Sequence, residues 1–239
     1  MQAHHHPLVE HNIHLTLSQI LPIICDRSDE RVMSADTAKK ILQRIYGHGR
    51  GWVFVPKDFF DIGTSAAVRQ ALSRLKRQGT IRRIMQGVYD YPSFSTLLQA
   101  PSSPEPDSIA QAIARATGWT ILPTGDTALN LLGLSTQVPA KYQYFSDGPS
   151  KRYVWEGGAF EFKHRTNKET TNLSYRTAIL VQALKSLGET NIDTRVISVL
   201  REKFSTNELN LAFRETRYAT SWVYKIIKQL AMKETMLHA

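Results

Sequence analysis

The chain has 239 residues, 42% of them hydrophobic and 21% charged, the balance of an ordinary globular protein with room for one large domain or two small ones. Its 30 Lys+Arg against 21 Asp+Glu leave a formal net charge of +9, so the expected partner is anionic. A single cysteine, Cys25, excludes an intramolecular disulfide and a cysteine-rich zinc site. The mildly apolar stretch from Ile13 to Ile24 is broken at Pro22 and has no basic flank, so neither a signal peptide nor a membrane span is expected; the expected location is cytoplasmic.

The charge is unevenly placed. Residues 1–32 hold two basic and four acidic groups, residues 33–92 eleven and four, and residues 93–239 seventeen and thirteen. Between Ile62 and Tyr89 six basic side chains (Arg69, Arg74, Lys76, Arg77, Arg82 and Arg83) occur without one carboxylate. Such concentration points to a nucleic-acid-binding module; the competing reading is a solvated helix face.

Residues 1–32 carry five of the eight histidines and are expected to be either a flexible leader or a misassigned start, with native translation then beginning at Met33. From Ser34 to Tyr46 the positions Ala38, Ile41, Leu42 and Ile45 recur at helical spacing, and Gly47 ends the run. Trp52 to Val55 reads as a short strand, and Pro56 opens a short second helix. After Gly63-Thr64 a third helix starts at Ser65, with Val68, Ala71, Leu72 and Leu75 as its apolar stripe and Gly79 at its C-terminus. Rotation at about 100° per residue places Ala66, Gln70, Ser73 and Arg77 opposite that stripe. Ile81 to Met85 and Val88 to Tyr91 form a hairpin around Gln86-Gly87, with Arg83 and Met85 on one face and Arg82 and Ile84 on the other. This order is that of a winged helix-turn-helix, covering residues 33–92.

Residues 93–107 contain Pro101, Pro104 and Pro106 with several serines and read as a linker. Residues 108–239 read as a second domain. A helix capped by Asp107-Ser108 precedes a strand near Trp119 to Leu122 and a short helix after Pro123. Three strands follow, around Tyr142 to Ser146, Arg152 to Trp155 and Ala159 to Arg165. Helices at Tyr175 to Leu187, Thr194 to Phe204, Asn207 to Glu215 and Ser221 to Met232 complete the chain. The expected class is α+β: a winged helix followed by a domain with a small antiparallel sheet and C-terminal helices.

The segments Arg69-Gln70-Ala71-Leu72-Ser73-Arg74-Leu75, Gly79-Thr80-Ile81-Arg82-Arg83 and Gly87-Val88-Tyr89 resemble those of AbiEi-type antitoxins of type IV toxin-antitoxin systems. Pro123-Thr124-Gly125-Asp126-Thr127-Ala128-Leu129-Asn130 and Ser146-Asp147-Gly148-Pro149-Ser150 extend the similarity into the second domain. The resemblance implies an autorepressor that binds inverted repeats in its own promoter DNA. It also implies a nucleotidyltransferase toxin as functional partner, counteracted without a stable complex.

Two other classes are weighed. Asp147, Glu161 and Lys163 have the order of a metal-dependent nuclease centre, yet Glu161 to Arg165 equally alternates as a half-exposed strand with Phe160 and Phe162 inward. A solitary winged-helix regulator would need no toxin. The chain shows no phosphate-cradling glycine loop, dinucleotide fingerprint or helical His-Glu-x-x-His, so no cofactor, metal or catalytic centre is expected. Lys151-Arg152 and Lys163-His164-Arg165 read as a solvated hairpin face, with a second basic surface as the alternative. The expected mechanism places the third helix in the major groove, with Thr64, Ser65, Arg69, Gln70 and Ser73 near base edges or phosphates. Arg74, Arg77, Arg82, Arg83 and Gln86 then fix position on the backbone.

Overall fold

The computed structural model describes residues 36–97, 99–135, 141–165 and 173–232; the leader at residues 1–32 lies outside the described residues. Helix α1 spans residues 36–48. Strand β1 (Val53–Phe54), a 3-10 turn (Pro56–Phe59) and α2 (Ser65–Arg77) follow. Strands β2 (Arg82–Met85) and β3 (Val88–Asp90) then close an antiparallel sheet of order β1-β3-β2. This is a winged helix-turn-helix whose second helix has shrunk to a single 3-10 turn. Its core joins Ile41 and Ile45 of α1, Phe54, Phe59 and Ile81 to Val68, Ala71, Leu72 and Leu75, the stripe expected for α2. The rings of Phe54 and Phe59 meet edge to face with centroids 5.4 Å apart, a favoured aromatic geometry.

Residues 93–107 do more than link. They hold the hairpin of β4 (Phe94–Ser95) and β5 (Ala100–Pro101) and the first turn of α3 (Pro106–Thr117), which starts one residue after its N-cap Glu105 instead of at Asp107-Ser108. The prolines fit this arrangement: Pro101 sits in a two-stranded sheet, and Pro106 occupies the first helical turn, where no N–H partner is needed. Ile109, Ala110, Ala112, Ile113 and Ala114 of α3 are all buried. They share one cluster with Val53, Val55 and Val88 of the winged helix and with Ile121, Tyr144, Phe160 and Phe162 beyond α3. The polar stripe of α3 is confined to Asp107, Ser108, Gln111 and Arg115, so its wide apolar face must be covered by more than one element, and its alanines let both neighbouring sheets approach closely.

The second sheet holds β6 (Ile121–Pro123), β7 (Tyr142–Ser146), β8 (Lys151–Trp155) and β9 (Gly158–His164) in the order β6-β7-β9-β8. The antiparallel sheet expected from sequence is in fact mixed, because β7 and β9 run parallel. The short connection after β7 carries the chain past the place that β9 later fills, a distance of about two strand spacings, or ~10 Å. The crossing is pinned when the His164 amide donates to Ser150 Oγ at 2.9 Å and His164 Nδ1 lies 2.9 Å from the Gly148 carbonyl.

Helix α4 (Gly125–Leu131) leads from β6 toward the helical part of the chain. There α5 (Tyr175–Leu187), α6 (Thr194–Lys203), α7 (Thr206–Glu215) and α8 (Ser221–Ala231) enclose a separate core that includes Leu180, Leu184, Leu200, Val223 and Ile227. The α7 start is fixed by a capping box, in which the Ser205 amide donates to Glu208 at 2.8 Å and the Glu208 amide donates to Ser205 Oγ at 3.3 Å. No helix among the described residues is long and apolar enough to cross a membrane.

Helices α3 and α5 are joined by Asp107, whose Oδ1 accepts from the Tyr175 hydroxyl at 2.5 Å. Burial pushes the Asp107 carboxyl above the usual aspartate value of 3.8, and the Tyr175 hydrogen bond offsets only part of that. The folded state therefore holds this proton more tightly than the unfolded chain. Its stabilising effect is complete below 3.8 and is lost as pH rises through the raised value. Asp107→Asn keeps an acceptor for Tyr175 but removes the titration. Urea melts at stepped pH should show the variant gaining stability relative to the parent as pH climbs above 3.8; a pH-independent difference would contradict this account.

Candidate nucleic-acid interface

Helix α2 is fixed at both of its ends. Thr64 is its N-cap, accepting from the Ala67 amide through Oγ1 at 3.3 Å, so this hydroxyl oxygen is already engaged in holding the first turn. At the other end the Thr80 amide donates to the Leu75 carbonyl and the Gly79 amide to the Lys76 carbonyl, with Gly79 at φ 71. That is a complete Schellman motif, and its left-handed residue is the one that glycine adopts without a Cβ clash. The first turn of α2 carries no acidic residue, while its last turn holds Arg74, Lys76 and Arg77.

The outer face of α2 matches the helical rotation: Ala66, Arg69, Gln70, Ser73, Lys76 and Arg77 are exposed. Ser65 and Arg74 are half-buried at its edges. Among the described residues no carboxylate pairs with Arg69, Arg74, Lys76 or Arg77. The four acidic groups of residues 33–92 are all matched elsewhere: Asp36 to Lys40, Asp58 to Arg115, Asp61 to Arg44 and Asp90 to Arg82. Arg44 grips Asp61 with two hydrogen bonds of 2.7 and 2.6 Å and also donates to the Asp58 carbonyl at 2.8 Å. This holds the Asp61 carboxyl below the usual carboxylate range and offsets a negative charge just before α2.

The wing departs from simple alternation. Arg82 pairs with Asp90, Arg83 with Tyr89 and Met85 with Val88, so Ile84 is an extra residue in a β-bulge. The bulge brings both Ile84 and Met85 onto the cluster that contains α3 and the second sheet. The expectation that Ile84 and Met85 face opposite ways is therefore corrected. At the tip Gly87 has φ 77, as a turn with a left-handed second central residue requires, and Gln86 is exposed beside it.

The two wing arginines differ in kind. Arg82 donates to both Asp90 oxygens at 3.1 and 2.6 Å and to the Ser102 carbonyl at 2.8 Å, while Asp90 is only 1% exposed. Its charge is thus committed to holding β4–β5 and the wing together. Arg83 is exposed and, among the described residues, donates only to the Met85 carbonyl two positions on, from Nε at 3.3 Å. Of the expected contact residues, Arg69, Gln70, Ser73, Arg77, Arg83 and Gln86 share free exposure, whereas Arg82 is turned to Asp90. Sequence reading missed Arg44 and Arg115, because nothing local marks which arginines are consumed by distant carboxylates. Beneath the wing lies a cleft of about 230 Å³ lined in part by Arg82, Arg83 and Glu156. Of its two cations Arg82 is paired with Asp90, and Glu156 acts on the same guanidinium electrostatically.

The nuclease-like residues do not converge. Glu161 lies opposite Gln143 in the register, and Asp147 follows four positions further along from Gln143, which is about 13 Å of strand. Asp147 accepts from the Thr120 amide at 2.9 Å, and Glu161 Oε2 accepts from the Gln143 amide group at 3.4 Å. Phe160 and Phe162 are buried on the opposite face, as a half-exposed strand requires. Among the described residues no cluster of three His, Cys, Asp or Glu side chains could hold a metal.

A family model described as a family of unknown function, DUF6088, matches residues 40–208. The chain belongs to the DUF6088 family. That span takes in α2, the wing and the second sheet, so the candidate residues described above lie in the part of the chain that the DUF6088 model matches. No curated protein matches it. Among solved structures it is similar to the RV2827C protein from Mycobacterium tuberculosis, at 13% identity over 84% of this chain and 76% of that one. The TM-score is 0.35, too low to bear on fold or function.

Loss of Arg82 and loss of Arg83 should separate in stability. Arg82→Ala leaves the Asp90 carboxylate buried without its cation and should cost about 2 to 3 kcal/mol, whereas Arg83→Ala should stay within about 0.5 kcal/mol. Equal urea midpoints for the two variants would show that Asp90 does not depend on Arg82.

Proposed function

We propose that this protein is a DNA-binding transcriptional repressor and not an enzyme, with α2 seated in the major groove. The observation that carries the reading is the α2 face on which Arg69, Gln70, Ser73, Lys76 and Arg77 stand exposed, with every carboxylate of residues 33–92 matched to another cation. Arg69 and Gln70 have the donor and acceptor geometry to address guanine or adenine edges. Ser65 and Ser73 lie beside them. Arg74, Arg77, Arg83 and Gln86 fit the phosphate backbone, and Arg82 supports the wing from behind.

The second half of the proposal is that repression acts on the protein's own promoter at inverted repeats, within a type IV system whose toxin is a nucleotidyltransferase. Its support is the resemblance of the α2, wing and β6–α4 segments to AbiEi-type antitoxins. The nuclease alternative draws no support from the separation of Asp147 and Glu161. A solitary regulator would share the DNA face and lack the toxin.

In gel shifts with the DNA upstream of its gene, Arg77→Ala should weaken binding and flatten the plot of log affinity against log salt by about 0.9. Arg69→Ala or Gln70→Ala should relax sequence preference by roughly 1 to 3 kcal/mol. Unchanged shifts for Arg69→Ala and Arg77→Ala would sink the assignment of this face. For the antitoxin half, a neighbouring nucleotidyltransferase-like gene expressed alone should arrest growth and co-expression of this chain should restore it; arrest without rescue would leave a solitary regulator.

A further inference from the structure

The C-terminal helices repeat the charge logic of the winged helix. Between Leu209 and Met232 the chain has four basic residues, Arg214, Arg217, Lys225 and Lys228, and a single acidic one, Glu215. Glu215 is turned away to the start of α5, where it accepts from the Ser174 amide at 3.0 Å and the Ser174 hydroxyl at 2.8 Å. The four cations are exposed, and among the described residues none has a carboxylate partner.

Helices α7 and α8 form a helix-turn-helix pair. Leu209 and Ala212 of α7 share a buried core with Val223, Ile227 and Leu230 of α8, and the rings of Phe213 and Tyr224 stack at 5.2 Å. That packing points the other side of α8 outward. Ser221, Lys225 and Lys228 stand at i, i+4 and i+7 on this exposed face; Gln229, one turn on from Lys225, and Ile226 border a groove with Glu202 of α6 and its N-cap Asp193. In the turn before α8, Arg217 is exposed and Tyr218 is 93% exposed, a large ring with almost no packing in the chain.

We propose that the α7–α8 pair is a second contact with duplex DNA, made to the phosphate backbone and blind to sequence. This rests on the reading of the partner as duplex DNA, but on different residues from those of α2. Lysine ammonium groups suit phosphates as point charges, and arginine and tyrosine also donate to phosphate oxygens. Within α8 the exposed positions are Ser221, Lys225, Lys228 and Gln229, none of them an apolar anchor of the kind on which protein interfaces centre, while Tyr218 and Met232 lie exposed beyond its two ends. Of its exposed side chains Gln229 alone has the paired donor and acceptor that discriminate bases, and it borders the groove against α6. The protein would thus hold its operator at a reading helix and at a clamp.

The test uses the full chain with Arg217→Ala, Lys225→Ala and Lys228→Ala combined, and fluorescence anisotropy on two duplexes of equal length, one from the upstream region and one scrambled. Affinity for both should fall by the same factor, and the log–log salt slope should become shallower by up to about 2.7, or about 0.9 for each phosphate that is no longer neutralised. Lys225→Gln and Lys228→Gln singly, with thermal melts matching the parent, guard against a folding artefact and should each shift the slope in the same direction. Parental affinity and slope in the variants would overturn the proposal, as would weakening confined to the upstream duplex or to single-stranded RNA. Arg69→Ala runs alongside: if it alone leaves binding intact, the α2 reading fails and the clamp stands, whereas if the α8 variants alone leave binding intact, the clamp fails and α2 stands.

Discussion

Asp58 and Arg115 form the junction on which the rest of the architecture leans. The Asp58 carboxylate accepts from the Val55 amide at 3.0 Å and from Arg115 at 3.3 and 3.2 Å, and the same guanidinium donates to the Val53 carbonyl at 3.0 Å. One ion pair thereby joins β1, the 3-10 turn and α3. Charge-assisted bonds of this kind are directional, so they set the angle at which α3 meets the winged helix while the apolar packing around Val53, Val55 and Ala112 supplies most of the burial energy. Lys57 adds a bond to the Ala116 carbonyl at 3.2 Å on the same side.

Electrostatically, the junction has a second effect. Asp58, Asp61 and Asp90 are the three carboxylates nearest α2 and the wing in sequence, and each is matched by an arginine that is not on α2. Negative charge is thus offset at the supports, leaving positive charge on the presented face. An unpaired aspartate beside α2 would lower the positive potential of that face; an aspartate already bridged to arginine contributes little field at that distance. The wing is likewise a supported element. The bulge at Ile84 commits two successive side chains to the core shared with α3, and Arg82 donates to the Ser102 carbonyl just after β5, leaving Arg83 and Gln86 at the outer edge.

Periodicity was sufficient where burial is one-sided. The buried set Val68, Ala71, Leu72 and Leu75, the outward Gln70, Ser73 and Arg77, and the inward Phe160 and Phe162 were all legible, because a single covered face imposes its 3.6- or 2-residue repeat directly on the residue types. Helices α6, α7 and α8 were legible for the same reason, whereas α5 is buried at five successive positions, Thr177 to Val181, and shows no such repeat. Local signals failed where the deciding partner is remote. Prolines between residues 93 and 107 resemble a linker until Arg82 and α3 give that stretch something to fold against.

By itself, then, the amino-acid order determined the winged-helix sequence of elements, the α+β class and the basic face of α2, all of which follow from short-range spacing and composition. Tertiary structure alone decided three things: that β7 and β9 run parallel, that α3 lies in a core common to both sheets, and that Arg82 serves Asp90 while Arg83 remains exposed. The reason is physical. Strand direction, shared burial and the choice of ion-pair partner depend on which distant segments come within a few ångströms of one another, and that proximity is set only when the whole chain has packed.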